Sequence, residues 1–200
     1  MTQASVSRGE ITGLILAGGA GRRVGGRDKG LLLWHGKPLV EHVRARLAPQ
    51  VDKVLLSCNR NEDTYREFAA DIVTDTRRDF QGPMAGLEAA IPCIDTQFIV
   101  LTACDTPQLP LDLVARLLQP LSAVSAPARI SYAHDGEREQ YLCAALHRSC
   151  LADLSVYLDE GHRTVRHWYR RHRCCVVDFS DQPESFQNFN RLNAQSARTS

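Results

Sequence analysis

No stretch of the sequence approaches the roughly 18 consecutive apolar residues of a membrane-spanning helix, and residues 1–10 are polar, without the apolar core of a secretory signal. Seven cysteines (58, 93, 104, 143, 150, 174 and 175) form an odd number with no C-x-x-C pair, which argues against a disulfide framework and against a zinc ribbon. The expectation is a soluble, reduced, cytoplasmic protein that uses no membrane. Net charge is only +1, so no global field points to nucleic acid. Lysine is scarce: Lys29, Lys37 and Lys53 stand against 21 arginines. The seven histidines lack metal-ligand spacing, and no Ser/His/Asp or Cys/His arrangement is supported by a motif. Repeats and low-complexity segments are missing as well.

What is present is concentrated in one place. Ile11 to Ala17 is a short aliphatic run suited to a buried parallel strand. It ends in six glycines within thirteen residues, at 18, 19, 21, 25, 26 and 30. Uniform scatter of the 13 glycines would put about one there. Arg22, Arg23, Arg27 and Lys29 are interleaved against a single acid, Asp28. Glycines let backbone N–H groups approach an anion closely, and the cations neutralise it. The segment reads as a polyphosphate cradle. It is not a P-loop, because Asp28 precedes Lys29 and Gly30 stands where a Ser or Thr would hold magnesium. Nor is it a dinucleotide fingerprint, because Val24 replaces the third glycine.

The rest of the chain alternates strands with helices. Helices are predicted from Lys37-Pro38 to Leu47, Asn59 to Ala70, Pro83 to Ile91, Pro110 to Leu118 and Ser149 to Leu158. Strands are predicted at Val51 to Cys58, Asp71 to Thr74, Gln97 to Ala103, Ala128 to His134, Tyr141 to Leu146 and Cys174 to Asp178. Gln119 to Ala128 is the only linker-like stretch. The pattern implies a three-layer, Rossmann-like α/β fold, a mostly parallel sheet flanked by helices. Two hundred residues suit one domain, with a nucleotide-binding half over about 10–120 and a second half over about 121–200. Between His162 and Arg173 lie five arginines and three histidines; at helical spacing Arg163, Arg166 and Arg170 would share one face. That face is either solvated surface or a dock for an anionic acceptor or partner enzyme.

Ligands of open α/β sheets bind at the carboxyl ends of strands. Asp105, one residue past the strand QFIVLTA, is there either a Mg²⁺ ligand or a helix-capping Asp before Pro107; together with a phosphate loop, the metal reading prevails. The strings LAGGAGRRVGGRDKG and CDTP resemble those of nucleotidyltransferases, and within them the molybdenum cofactor guanylyltransferases. In that family LAGG accompanies use of GTP. The resemblance covers nearly the whole chain. It implies that Leu16, Ala17, Gly18, Gly19, Lys29, Asn59, Asp75, Gly82 and Asp105 bind nucleotide, with Asp105 on Mg²⁺. Arg23, Lys29 and Asp105 are the implied catalytic set, and Arg163, Asn188 and Asn190 the acceptor set. Asp75 reads locally as a plain turn residue. Ser57 stands where the family carries the first Asn of Asn-x-Asn, Val24 where it has Met, and Gln140-Tyr141 where it has His-Pro. The implied reaction joins GMP from GTP to molybdopterin. Molybdopterin insertion proteins, apo-molybdoenzymes or their chaperones are the implied partners. Two other readings stay open: a cytidylyl- or sugar-phosphate transferase of the same fold, and a non-catalytic GTP-binding module.

Overall fold

The computed structural model describes residues 11–19, 27–77, 81–123 and 127–189. Nine strands and six α-helices are found among them. They are β1 (Ile11–Leu16), β2 (Leu33–Trp34), β3 (Lys37–Pro38), α1 (Leu39–Leu47), β4 (Lys53–Ser57), α2 (Glu62–Tyr65), β5 (Asp71–Val73) and α3 (Pro83–Ala90). After them come β6 (Phe98–Ala103), α4 (Leu113–Leu118), β7 (Ile130–His134), β8 (Glu139–His147), α5 (Leu154–Asp159), α6 (Val165–Tyr169) and β9 (Cys174–Asp178). Seven strands form one sheet in the order β5-β4-β1-β6-β8-β7-β9. Six run the same way; β8 alone is reversed, pairing antiparallel with both β6 and β7. The mostly parallel sheet agrees with the expected class.

Strand alternation builds the three layers. In β1, Ile15 faces a core shared with Val40, Val43 and Leu47 of α1 and with Leu113 and Leu117 of α4. Its neighbours Leu14 and Leu16 face the opposite core, with Met84 and Leu87 of α3, Leu154 and Leu158 of α5 and Trp168 of α6. A central strand with both faces covered is largely apolar, and the one polar side chain of ITGLIL, Thr12, is buried with its hydroxyl on that of Thr96 (2.7 Å).

Several expected elements come out shorter. The helix expected over Asn59 to Ala70 is a single turn, α2. Asn61 sits in the left-handed region (φ 54°), and the bonds of Glu67 and Phe68 reach back only three residues, to Thr64 and Tyr65. The start of the helix expected at Ser149 is 3₁₀ over Arg148–Asp153, and α5 begins only at Leu154. The helical face expected for Arg163, Arg166 and Arg170 does not form. Helix α6 is only five residues long, and Arg163 lies before it and Arg170 after it. The small β2–β3 hairpin turns on His35 and Gly36, both at positive φ (48° and 77°), as a two-residue reversal requires.

Candidate active site

The parallel strands β1, β4, β5 and β6 end together, and there the chain leaves β1 with β4 on one side and β6 on the other. That divergence opens a crevice at the carboxyl ends. A cavity of about 430 Å³ occupies it, in the range of small-molecule sites. Leu16, Ala17, Gly18, Gly19, Lys29, Asp75, Gly82 and Asp105 line it, so eight of the residues implied by sequence converge on one space. Arg23 and Asn190 lie outside the described residues.

The cavity floor is stapled by backbone bonds between strand ends: Ala17 N–H donates to Ser57 (2.7 Å) and Cys104 N–H to Leu16 (3.1 Å). Asn59 does the same with its side chain. Its Nδ2 donates to the Gly18 carbonyl (3.1 Å) and to Asp75 Oδ2 (2.8 Å), while its Oδ1 accepts from Asp75 N–H (2.9 Å). These bonds fix β1, β4 and β5 relative to one another, and Asn59 itself is not a lining residue. A Cβ on Gly18 would lie 2.8 Å from that amide nitrogen, so only glycine lets Asn59 reach across.

The far end of the glycine loop is bolted down by Asp28. Its carboxylate accepts from Gly30 N–H (3.2 Å), Asn61 Nδ2 (3.0 Å) and the Tyr65 hydroxyl (2.5 Å). Arg60 donates to the carbonyls of Gly19 (3.3 Å) and Arg27 (3.5 Å), the two residues flanking segment 20–26. Lys29 is thereby held over β6, where its ammonium meets Asp105 Oδ2 at 2.5 Å with both side chains mostly buried.

Asp75 differs from Asp105. Burial pushes its carboxyl above the ordinary value, against the lowering effect of the Asn59 bond, and Glu88 adds repulsion. Its Oδ1 is buried without a hydrogen-bond partner. An orphaned acceptor on a cavity wall is a place for a ligand donor. Gly82, at φ 84°, turns the chain so that Pro83 starts α3 with the helix N-terminus at the cavity.

Sequence reasoning did not name Ala103, Cys104 or Leu142 as lining residues. Ser57, noted only as a departure, lines the cavity against Gly86, where an added Cβ would come within 2.5 Å of Ser57 Oγ. Leu142 comes from the reversed strand β8, and no local pattern marks it. Of the acceptor set, Arg163 donates to the carbonyls of Leu158 (2.7 Å) and His162 (2.5 Å) and closes the end of α5. It does not line the cavity. Asn188 lies beside Phe189, whose N–H donates to the Asp105 carbonyl (2.8 Å), so the C-terminal segment does return to the site.

A dedicated metal cage is not built: among the described residues no group of three His, Cys, Asp or Glu side chains could hold an ion by itself. Asp105 offers one hard carboxylate beside the Gly18–Gly19 backbone, a donor set that would hold Mg²⁺ only together with oxygens supplied by a ligand.

The comparisons with known proteins concern the chain as a whole. A molybdenum cofactor guanylyltransferase of Shewanella halifaxensis is 40% identical over 181 residues, covering 90% of both chains. Among solved structures, molybdopterin-guanine dinucleotide biosynthesis protein A from Archaeoglobus fulgidus superposes with a TM-score of 0.71 at 21% identity, covering 90% of this chain and 92% of that one. A 4-diphosphocytidyl-2C-methyl-D-erythritol synthase from Anaerococcus prevotii gives 0.70 at 11% identity, covering 96% of each. Those two likenesses speak to the fold alone. The sequence also matches the MobA-like NTP transferase domain over residues 13–175, and the chain belongs to that family of nucleotidyltransferases.

Proposed function

We propose that the protein transfers GMP from GTP to the terminal phosphate of molybdopterin, giving the guanine dinucleotide form of the cofactor and releasing pyrophosphate. An acceptor phosphate oxygen bonds to the α-phosphorus as the bond to the β-phosphate bridging oxygen breaks. The nucleophile is already an anion, so no general base is required. What the protein must supply is alignment and neutralisation of spreading charge. The observation that carries the reading is the convergence of the Gly18–Gly19 backbone, Lys29 and Asp105 on one cavity at the ends of β1 and β6.

In this reading Lys29 leaves Asp105 for the phosphates when GTP enters, and Arg23 joins it there. The freed Asp105 carboxylate would hold Mg²⁺, which would supply positive charge against the phosphate oxygens. The Leu16 to Gly19 backbone cradles the nucleotide, and the orphaned Asp75 Oδ1 accepts from a nucleoside N–H or O–H. Gly82 and the start of α3 face the base. Asn59 acts as a positioning residue through Gly18 and Asp75. Asn188, on the segment that returns to Asp105, and Asn190 serve the acceptor, and Arg163 steadies the loop after α5. A cytoplasmic setting is proposed on the same footing, supported by seven free cysteines. Insertion proteins and apo-molybdoenzymes or their chaperones are the proposed recipients of the product.

The fold does not choose the base, since a 4-diphosphocytidyl-2C-methyl-D-erythritol synthase shares it. Calorimetry with GTP and CTP in the presence of Mg²⁺ makes the choice: GTP is expected to bind tighter, and equal or tighter CTP binding would move the protein to the cytidylyl transferases. Pyrophosphate release on addition of molybdopterin, lost in Asp105→Asn with GTP binding retained, tests catalysis. GTP binding with no release would leave a nucleotide-binding module.

A further inference from the structure

A second cavity of about 270 Å³ opens beside the first, on the α3/α5/α6 side of the sheet. The two have neighbouring walls, since Leu142 of β8 lines the first and the preceding Tyr141 lines the second. This strand is irregular there. Tyr132 of β7 pairs with Ala144, and the next residue, Ala133, pairs with Gln140, so residues 141–143 bulge out of register. A bulge re-aims side chains locally.

The second wall is aromatic and firmly built. Tyr169 is fully buried, donates its hydroxyl to the Tyr141 carbonyl (2.8 Å), and stacks on Tyr132 at 5.8 Å and 27°. Tyr132 and Tyr141 lie 5.1 Å apart and are partly exposed. Arg166 and Arg170 stand at the rim. Among the described residues neither makes an ion pair within 4.0 Å, whereas Arg171, next in the chain, is tied to Asp153 (2.9 Å) and Glu160 (3.5 Å). Glu139 is the acid on the same wall.

From these groups we propose that the second cavity binds a planar nitrogen heterocycle carrying an anionic substituent. The ring lies against Tyr132 and Tyr141, its N–H donors meet Glu139, and its anion meets Arg166 and Arg170 in the geometry that guanidinium groups favour. The volume is below the roughly 300–1,000 Å³ of drug-sized sites, room for a bicyclic ring and not for a dinucleotide. Two ligands carry this chemistry: the pterin of the acceptor named above, in which case the inference rests on that reading, or a second molecule of nucleotide. The adjacency of Leu142 and Tyr141 in the two walls favours the acceptor, whose far end must reach the first cavity.

Titration calorimetry with 6-carboxypterin and, separately, GTP distinguishes them, using the full chain and the variant Arg166→Glu/Arg170→Glu. The expected result is one pterin site that fills in the presence of saturating GTP and weakens by about 10-fold or more in the variant, with GTP binding unchanged. Two GTP sites in the wild type, one of them lost in the variant, would uphold the cavity and assign it to nucleotide. If 6-carboxypterin does not bind and GTP binds at a single site that the variant leaves unchanged, the proposal is overturned. Pterin binding without any GTP binding would overturn the guanylyl-transfer reading and leave this one standing. Tyr132→Ala, whose side chain is partly exposed, is a second variant expected to weaken the pterin similarly, and unchanged pterin affinity in both variants also overturns the proposal.

Discussion

At the scale of single residues, the site holds two carboxylates in opposite conditions. Asp105 is satisfied by Lys29 at 2.5 Å. In the proposed reaction each would sequester the other, the lysine from phosphate and the aspartate from metal, until a ligand separates them. Lys29→Met is therefore expected to move two observables in opposite directions. Turnover should fall by roughly 10²-fold or more, because a cation aimed at the transition state is lost. Binding of free Mn²⁺, followed by electron paramagnetic resonance without nucleotide, should tighten, because Asp105 is released. Unchanged turnover would remove Lys29 from the chemistry, and unchanged Mn²⁺ affinity would mean that the ion pair withholds nothing. Asp75 has the reverse condition, a carboxyl raised above its ordinary 3.8 chiefly by burial. A raised folded-state value means that the native protein binds the proton more tightly. The associated stability is present below the unfolded value and is lost as pH rises through the folded one. Asp75→Asn should thus melt higher than wild type at pH 7, the gap closing toward pH 4, while GTP affinity falls. A lower melting temperature at pH 7 would show that the carboxylate serves the fold rather than a ligand.

At the scale of elements, the legible parts were those where a local pattern ends in a physical necessity. An aliphatic run stopping at Gly18 marked β1 and its turn, FIVLTA followed by Asp105 marked a carboxylate at a strand end, and Gly82-Pro83 marked the start of α3. What could not be read depends on partners distant in sequence. Helix α2 stops after one turn with Tyr65 committed to Asp28, 37 residues earlier. Helix α6 is cut short because Cys174 must already lie beside Ile130 to begin β9. Leu142 reaches the site only because β8 is reversed. The C-terminal segment is another such case. Arg116, at the end of α4, donates to both Asp181 oxygens (2.9 Å each) and to the Asp178 carbonyl, and lies 3.9 Å over the Phe179 ring. Asp181 is held down to about 2 by this partner, so the clasp is lost only as pH falls through that value and persists at neutrality. Ten residues past Phe179, the Phe189 N–H docks on Asp105. Arg116→Ala should therefore speed hydrogen exchange of the Phe189 amide and raise the KM for the acceptor, leaving the Kd for GTP unchanged. Undisturbed exchange at Phe189 would show that the segment is held by the buried Phe179 and Phe186 alone.

At the scale of the molecule, the question is whether the nucleotide half and the second half are separable. Their roles are distinct in the proposed reaction, yet the sheet runs through both without a break. Strand β8 pairs with β6 from Phe98↔His147 to Leu101↔Ala144, and one apolar layer joins Met84 and Leu87 of α3 to Leu154, Leu158 and Trp168. Cutting the chain near residue 120 would remove β8, α5 and α6 together. Ile99, Leu101, Met84 and Leu87, each at most 1% exposed, would lose that cover. At about 1.5–3 kcal/mol for each fully exposed side chain, the upper bound is about 6–12 kcal/mol, comparable with the total stability of about 5–15 kcal/mol expected of a domain. The first cavity would also lose Leu142 from its wall. Two lobes with different ligands are therefore expected to melt as one. Calorimetry of the full chain should give a single transition whose van't Hoff and calorimetric enthalpies agree, and a fragment of residues 1–120 should show neither a cooperative transition nor GTP binding. Two resolved transitions, or a fragment that binds GTP, would mean that the nucleotide half carries its own core and that the β6–β8 ladder joins two finished domains.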